Sequence, residues 1–345
     1  MAESGTPLYI YDEEDVGRHY KWDTAIVRVH TAIALPLRSP EGIYGVVQVV
    51  NRLDGASFSE EDIRFMSLLV EQAGLAIYNA RLHAERIERQ RTREQFKIAR
   101  DIQLHLVPTS LPHIAGISIG AEYNAAQEVG GDYYDIYQID HDHIGLVVFD
   151  VAGKGVPGAL LMAITATFLK MAAPRSTSPA WVLNEVNAAL STEIHRGLYV
   201  TAMYVVLEVS TGKLTVCNAG HPDGLLIRAG GGVCDEVNPR GAALGLLRPN
   251  RFRATLEAQT YQMQPGDTLL LYTDGIVEAR DPDGNEFGQE RLTRIACTHA
   301  AEGPRRLAAE LLAAVQQHAG SAPQYDDTTV LALQLMPESD SQEPQ

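Results

Sequence analysis

Cysteine is scarce in this chain of 345 residues. Cys217, Cys234 and Cys297 are three, widely spaced, with no CxxC pair. An odd, sparse count excludes a disulfide scaffold and a cysteine zinc site, and it fits a reducing cytosol. Positive charge is also short: 28 Lys plus Arg face 44 Asp plus Glu, a net charge of -16. That balance argues against nucleic acid or an anionic membrane surface as the main partner. It suits a cation-binding protein, although many cytosolic proteins are simply acidic. Long apolar runs are lacking as well. Met1 to Gly5 include an acid and no apolar stretch, so no signal peptide is expected. The longest apolar candidate, Gly158 to Leu169, stops at Lys170, too short to span a bilayer. The expectation is a soluble, cytoplasmic protein without a membrane or nucleic-acid partner.

What is present supports a real core. Hydrophobic residues make up 45% and charged residues 21%, ordinary for globular protein. The length suggests two domains, or one with an appendage. Residues 1–78 read as mixed α/β: Ala32–Leu37 and Tyr44–Asn51 are strands joined by a hairpin. Ser59-Glu60-Glu61-Asp62 opens a helix with Ser59 as N-cap and a stripe of Ile63, Met66, Leu69, Val70, Ala73 and Ile77. Residues 79–108 continue as a charged helical rod. Its seam Ile77, Ala80, Ala84, Ile87 has heptad spacing, is interrupted at Arg91 and Glu94, and resumes at Ile98, Ile102 and Leu106. Both a coiled coil and a solvated connecting helix remain open. Pro108 and Pro112 end it.

Residues 109–336 alternate runs of strands with pairs of helices. Ile117–Ala125, Asp132–Ile139 and His143–Val151 read as consecutive antiparallel strands, and Val156–Ala173 and Pro179–Ile194 as helices. Tyr199–Val209, Lys213–Asn218, Gly224–Arg228, Arg253–Met263 and Thr268–Val277 return to strand. The helices Gln289–His299 and Pro304–Ala319 and the strand Thr328–Leu335 complete the zone. This is an α+β layered fold rather than a parallel βαβ sheet. Residues 337–345 form a polar tail expected to be disordered.

Four aspartates fall at strand ends beside small residues: Asp132 after Gly130-Gly131, Asp150 after Leu146–Phe149, Asp274 before Gly275, and Asp326 with Asp327 before the last strand. A carboxylate ending a buried strand is costly to desolvate unless paired, hydrogen-bonded or bound to metal. Nearby glycines let backbone approach, so a carbonyl can add a ligand. Oxygen donors without a His or Cys cluster select hard cations, Mg2+ or Mn2+. Any one of these aspartates could instead cap a turn; four in one domain weaken that alternative. His141 and His143 flank Asp142 in a hairpin turn, and a metal site there is not expected.

The segments Glu128-Val129-Gly130-Gly131-Asp132-Tyr133-Tyr134-Asp135, Phe149-Asp150-Val151-Ala152-Gly153-Lys154-Gly155-Val156-Pro157, Asn218-Ala219-Gly220-His221-Pro222, Tyr272-Thr273-Asp274-Gly275 and Asp326-Asp327-Thr328-Thr329 occur in the order seen in metal-dependent (PPM, type 2C) serine/threonine phosphatases. The chain resembles the bacterial SpoIIE/RsbU-like branch over roughly residues 95–336, Ala99-Arg100-Asp101-Ile102-Gln103 included. The resemblance implies a β-sandwich flanked by helix pairs, αββα, with two Mn2+ or Mg2+ ions at one edge. Asp150 is expected to bridge both ions, with the Val151 carbonyl facing one of them. Asp274 and Asp326 hold the other, and Asp132 binds a metal or orders its waters. Asp150 and Asp132 are the expected catalytic carboxylates. Paired cations lower the pKa of a shared water, clamp the phosphoryl oxygens and neutralise charge during in-line displacement. No nucleophilic Ser, Cys or His is needed, and none is visible.

The sequence departs from the eukaryotic branch, which places a His two residues after the bridging Asp; here that residue is Ala152. Protonation of the leaving serine would then fall to a metal-bound water or to Lys154, itself either a phosphate contact or a plain surface lysine. For His221 a structural hydrogen bond is expected over a catalytic role. Gly130-Gly131-Asp132 is also similar to part of the GGDEF motif of diguanylate cyclases, but Tyr133-Tyr134 replace the acid and Phe.

The N-terminal zone resembles the C-terminal half of a GAF sensor domain in Pro7-Leu8, Val46–Arg52, Phe58–Asp62 and Ala76–Arg81. The opening helix and early strands of that domain are expected to be absent. The branch resemblance implies a phosphorylated anti-sigma-factor antagonist in bacterial partner switching as substrate. A homodimer through the rod is a further expectation. The rival readings are a non-enzymatic signalling scaffold with a weak metal site and, third, a nucleotide cyclase.

Overall fold

A computed structural model of the chain describes residues 5–12, 14–15, 29–108, 110–153, 155–193, 197–230 and 232–337. Lys154 and the expected tail beyond 337 lie outside the described residues. The chain forms two compact units, 1–94 and 95–345.

In the first unit β1 (Leu8–Ile10), β2 (Ala32–Ser39) and β3 (Gly42–Val50) make an antiparallel sheet in that order. A long helix, α1 (Glu60–Leu104), begins behind a reciprocal cap. The Asp62 carboxylate accepts the Ser59 N–H and hydroxyl, each at 2.8 Å, and Ser59 Oγ accepts the Asp62 N–H at 3.2 Å. Ile63, Met66 and Val70 pack with Ile33 and Leu35. Leu69 and Ile77, placed on the same stripe by their spacing, are instead exposed.

The second unit stacks two five-stranded antiparallel sheets. One runs β10 (Cys234–Val237), β9 (Gly224–Ile227), β12 (Thr268–Tyr272), β13 (Thr328–Leu335), β4 (Ile117–Asn124). The other runs β11 (Ala258–Gln262), β8 (Lys213–Ala219), β7 (Val200–Glu208), β6 (His143–Val151), β5 (Tyr133–Gln138). The helices α2 (Val156–Ala172) and α3 (Pro179–Glu193) cover the second sheet. The helices α6 (Gln289–His299) and α7 (Pro304–Ala319) cover the first. Period-two alternation explains the layers. Leu269, Leu271, Leu331 and Leu333 face the core between the sheets, while Leu270, Tyr272, Val330 and Ala332 face Leu292, Leu307 and Leu311 of the outer helices. Strands buried on both faces read as continuous apolar runs.

The structure corrects four expectations. Ile117–Asn124 is not the neighbour of the next strand in sequence: it pairs with β13, from Ile117↔Leu335 to Thr328↔Asn124, in the other sheet. The strand expected from Arg253 starts at Ala258, because Pro249 opens the short helix α4 (Pro249–Thr255), with Arg248 held extended before it. The strand from Thr268 ends at Tyr272, and Asp274 opens another short helix, α5 (Asp274–Val277). Finally, two of the three cysteines, Cys234 and Cys297, are joined by a disulfide, while Cys217 is buried and free.

The apolar stretch extends beyond Gly158 to Leu169. By length and composition Val156–Arg175 could cross a membrane, yet Leu161, Met162, Ala166 and Leu169 lie in the protein core.

Candidate active site

Three chain reversals deliver the carboxylates. Asp150 lies near the end of β6, opposite Thr201 of β7. Asp274 is the first residue of α5, after Thr273 in extended backbone. Asp326 and Asp327 precede β13. Asp150, Val151, Asp274, Asp326 and Asp327 line one cavity of about 230 Å³, with Gly131, Ala152, Tyr199, Thr201 and Tyr325 on its walls.

Glycine is required at two points of this wall. A Cβ on Gly275 would stand 1.8 Å from the Asp327 carbonyl oxygen, so the start of β13 can lie against α5 only if residue 275 has no side chain. A Cβ on Gly131 would lie 3.2 Å from the Val151 carbonyl oxygen and 3.3 Å from Asp150 Oδ1. Gly131 therefore leaves open the space in front of both oxygens.

Asp132 is set back from the cavity. It is 1% exposed, and its Oδ2 accepts the hydroxyls of Thr273 and Thr329, each at 2.7 Å. Burial, then the charges of Asp150 and Asp327, raise its pKa well above the carboxylate range. Burial, and next the charge of Asp274, push Asp150 up to about 7, while a hydrogen bond with Asp132 pulls the other way. The acids of this cleft thus repel one another in a poorly solvated place. Among the described residues, no three His, Cys, Asp or Glu side chains are gathered closely enough to hold one ion. Convergence is at the level of a shared cavity.

Two residues carry more than the sequence disclosed. Asp327 accepts the N–H groups of Ala126 at 2.8 Å and Gly131 at 2.6 Å, and so clamps the turn before Asp132. The N–H groups of Ala126, Gly131 and Asp132 hold its pKa down, but burial outweighs them. Thr273 and Thr329 stood in the quoted segments without a role; a hydroxyl beside each acid was the available signal. Gln103, near the end of α1, donates from Nε2 to the Gly130 carbonyl and accepts the Gly130 N–H at 3.0 Å.

His221 is a brace. Its Nε2 donates to the Tyr272 carbonyl at 3.1 Å, and Nδ1 lies 3.1 Å from the Thr201 hydroxyl, so one ring joins the two sheets. Burial lowers its pKa to about 4. At neutral pH it is uncharged, with the proton on Nε2, since a carbonyl only accepts. Ala152 donates its N–H to the Tyr199 carbonyl at 2.9 Å and brings no side-chain acid to the cavity. His143 pairs with Asp140, and Asp142 accepts from Ser210, so His143 and Asp142 are engaged locally.

Residues 140–336 match the family model of Stage II sporulation protein E. The chain belongs to the SpoIIE family. Residues 1–77 match the GAF domain model. Among curated relatives, Protein IcfG of Synechocystis sp. is 25% identical over 272 residues, 70% of this chain and 41% of that protein. Phosphoserine phosphatase RsbU of Bacillus subtilis is 24% identical over 246 residues, 71% of this chain and 72% of that protein. The chain thus spans less than half the length of IcfG. The solved SiaA-PP2C domain of Pseudomonas aeruginosa superposes with a TM-score of 0.62 at 23% identity, covering 72% of this chain and 98% of that one. That likeness establishes the PP2C fold for the SpoIIE-family domain, the αββα sandwich expected from the sequence. In this fold the Gly130-Gly131-Asp132 turn belongs to the sandwich edge, which removes the cyclase reading.

Proposed function

We propose that the chain is a metal-dependent protein phosphatase acting on phosphoserine or phosphothreonine. The observation that carries this reading is the single cavity walled by Asp150, Val151, Asp274 and Asp326 in a SpoIIE-family domain. The chemistry of the donor set suits Mn2+ or Mg2+: it is all oxygen, and Gly131 keeps the Val151 carbonyl and Asp150 Oδ1 accessible. Asp150 would bridge the ions, the Val151 carbonyl would face one, and Asp274 and Asp326 would hold the other. Divalent cations bound here supply a water of lowered pKa and neutralise charge on the phosphoryl oxygens.

The chain's own residues divide the remaining work. Asp132, tied by Thr273 and Thr329, fixes Asp150 from behind and is the second catalytic carboxylate in this reading. Asp327 holds the Gly131 turn. His221, neutral and hydrogen-bonded on both nitrogens, braces the strand ends that carry Asp150 and Asp274.

RsbU is named a phosphoserine phosphatase, and by analogy the substrate is a phosphorylated anti-sigma-factor antagonist met in the cytoplasm. A homodimer through α1 is part of the same proposal. Support comes from the exposure of the seam residues Ile87, Ile98 and Ile102, the last two at 61% and 63%. A non-enzymatic scaffold is the second reading, favoured by the lack, among the described residues, of three metal-ligating side chains within reach of one ion.

Phosphate release from a phosphorylated antagonist protein, with and without Mn2+, tests the choice. Metal-dependent release is expected. A folded protein that binds Mn2+ yet releases no phosphate would leave the scaffold.

A further inference from the structure

We infer that Arg240, Arg248, Arg251 and Arg253 form a docking surface for an acidic face of the phosphoprotein substrate, next to the catalytic cavity; this rests on the phosphatase reading above.

The composition of one segment goes against the rest of the chain. Residues 237–256 contain these four arginines and no acid, in a protein where acids outnumber bases 44 to 28. All four side chains are exposed, and among the described residues none has an ion-pair or hydrogen-bond partner. Three arginines elsewhere in the unit are neutralised: Arg228 by Asp235 and Asp267, Arg280 by Glu286, Arg306 by Glu310. An arginine fork left without a carboxylate is free to take one from a partner.

The segment is also held firmly and near the site. Leu244 and Val200 exchange both backbone hydrogen bonds, at 2.8 and 3.0 Å. Val200 sits between Tyr199 and Thr201, two cavity walls. Arg240 and Arg248 each lie four residues from Leu244, no more than about 14 Å of extended chain. Asn187 of α3 accepts the Gly245 N–H at 2.9 Å and donates to the Leu247 carbonyl at 3.2 Å, while Phe252 of α4 is fully buried. Arg248, Pro249, Asn250 and Arg251 line an open concavity on this surface.

The physical need is clear. The cavity is walled by carboxylates, and the chain carries -16, so a phosphorylated, acidic partner is repelled on approach. A rigid cationic rim offsets that repulsion, raises the encounter rate and sets which way the partner lies.

The test uses the full chain and two fluorescein-labelled phosphoserine peptides, one flanked by Asp and Glu, the other by Ala and Gln. Binding is read by fluorescence anisotropy, and phosphate release is followed on both peptides and on p-nitrophenyl phosphate. The wild type is expected to bind the acidic peptide about tenfold tighter, with the preference shrinking as salt is raised. R248E/R251E should abolish the preference and leave turnover of p-nitrophenyl phosphate unchanged; R240E/R253E should weaken it. Equal affinities for the two peptides in the wild type, or a preference that survives R248E/R251E, would overturn the docking surface. So would a parallel loss of p-nitrophenyl phosphate turnover, which would place the arginines in catalysis instead. A retained preference with no turnover of either peptide would uphold the docking surface and sink the phosphatase reading.

Discussion

The carboxylate of Asp327 accepts the backbone N–H of Gly131 at 2.6 Å, joining residues 196 positions apart in sequence. Its second oxygen takes the Ala126 N–H. Replacing it by Ala leaves two donors without an acceptor in a buried place, which costs about 2–4 kcal/mol. Asp327→Asn keeps one acceptor and should cost clearly less. Urea denaturation of the two variants measures this; an Asp327→Ala protein as stable as wild type means the clamp is idle.

Asp150→Asn should remove most phosphatase activity without unfolding the protein. On the proposed reading the cations lose one bridging charge, while the burial cost and the carboxylate repulsion that push Asp150 up to about 7 are relieved. Metal-free thermal stability should hold or rise. Near-normal turnover by a well-folded variant at saturating Mn2+ would refute the bridging role.

Gly275→Ala would set a methyl 1.8 Å from the Asp327 carbonyl. Only a backbone shift relieves that clash, so a loss of about 1–3 kcal/mol is expected, with weaker Mn2+ binding because Asp274 and Asp326 flank the contact. Calorimetric titration with Mn2+ reads the second effect, and an unchanged affinity would separate the α5 contact from the metal site.

His221 makes stability pH-dependent with a definite sign. Its folded pKa, about 4, lies below the unfolded value near 6.5. Above 6.5 the ring is neutral in both states and its contribution is intact. As pH falls from about 6.5 to 4 the unfolded chain takes up a proton that the folded one refuses, and about 3 kcal/mol is lost. His221→Gln should flatten that part of the denaturation midpoint against pH. A profile identical to wild type over this window would contradict the assignment.

Gln103→Ala cuts both hydrogen bonds to Gly130, and with them a tie between the end of α1 and the turn before Asp132. Turnover should fall, and the denaturation midpoint with it, because the buried N–H and carbonyl of Gly130 are left without partners. Inserting Gly-Gly-Ser near Arg91 breaks the continuous helix and should uncouple activity from the N-terminal unit, since a flexible insert absorbs displacement. If the protein is monomeric at micromolar concentration and the insert changes neither activity nor its regulation, α1 is only a spacer.

The sequence by itself marked the carboxylates of the candidate site and most of the elements around them. Asp150 and Asp274 stood out because each ends an apolar run beside a small residue, and Asp326 because it precedes the last strand; alternation or helical period marked the strands and helix pairs around them. Tertiary structure alone decided which strand joins which sheet. The pattern of Ile117–Asn124 suits an edge beside either β5 or β13, and only long-range pairing selects β13. It also set Asp132 behind the cavity rather than in its wall, because Thr273 and Thr329 arrive from segments over a hundred residues away. The clamp by Asp327 escaped notice for the same reason: a side chain's hydrogen-bond partners depend on what folding brings beside it, and neither composition nor spacing encodes that.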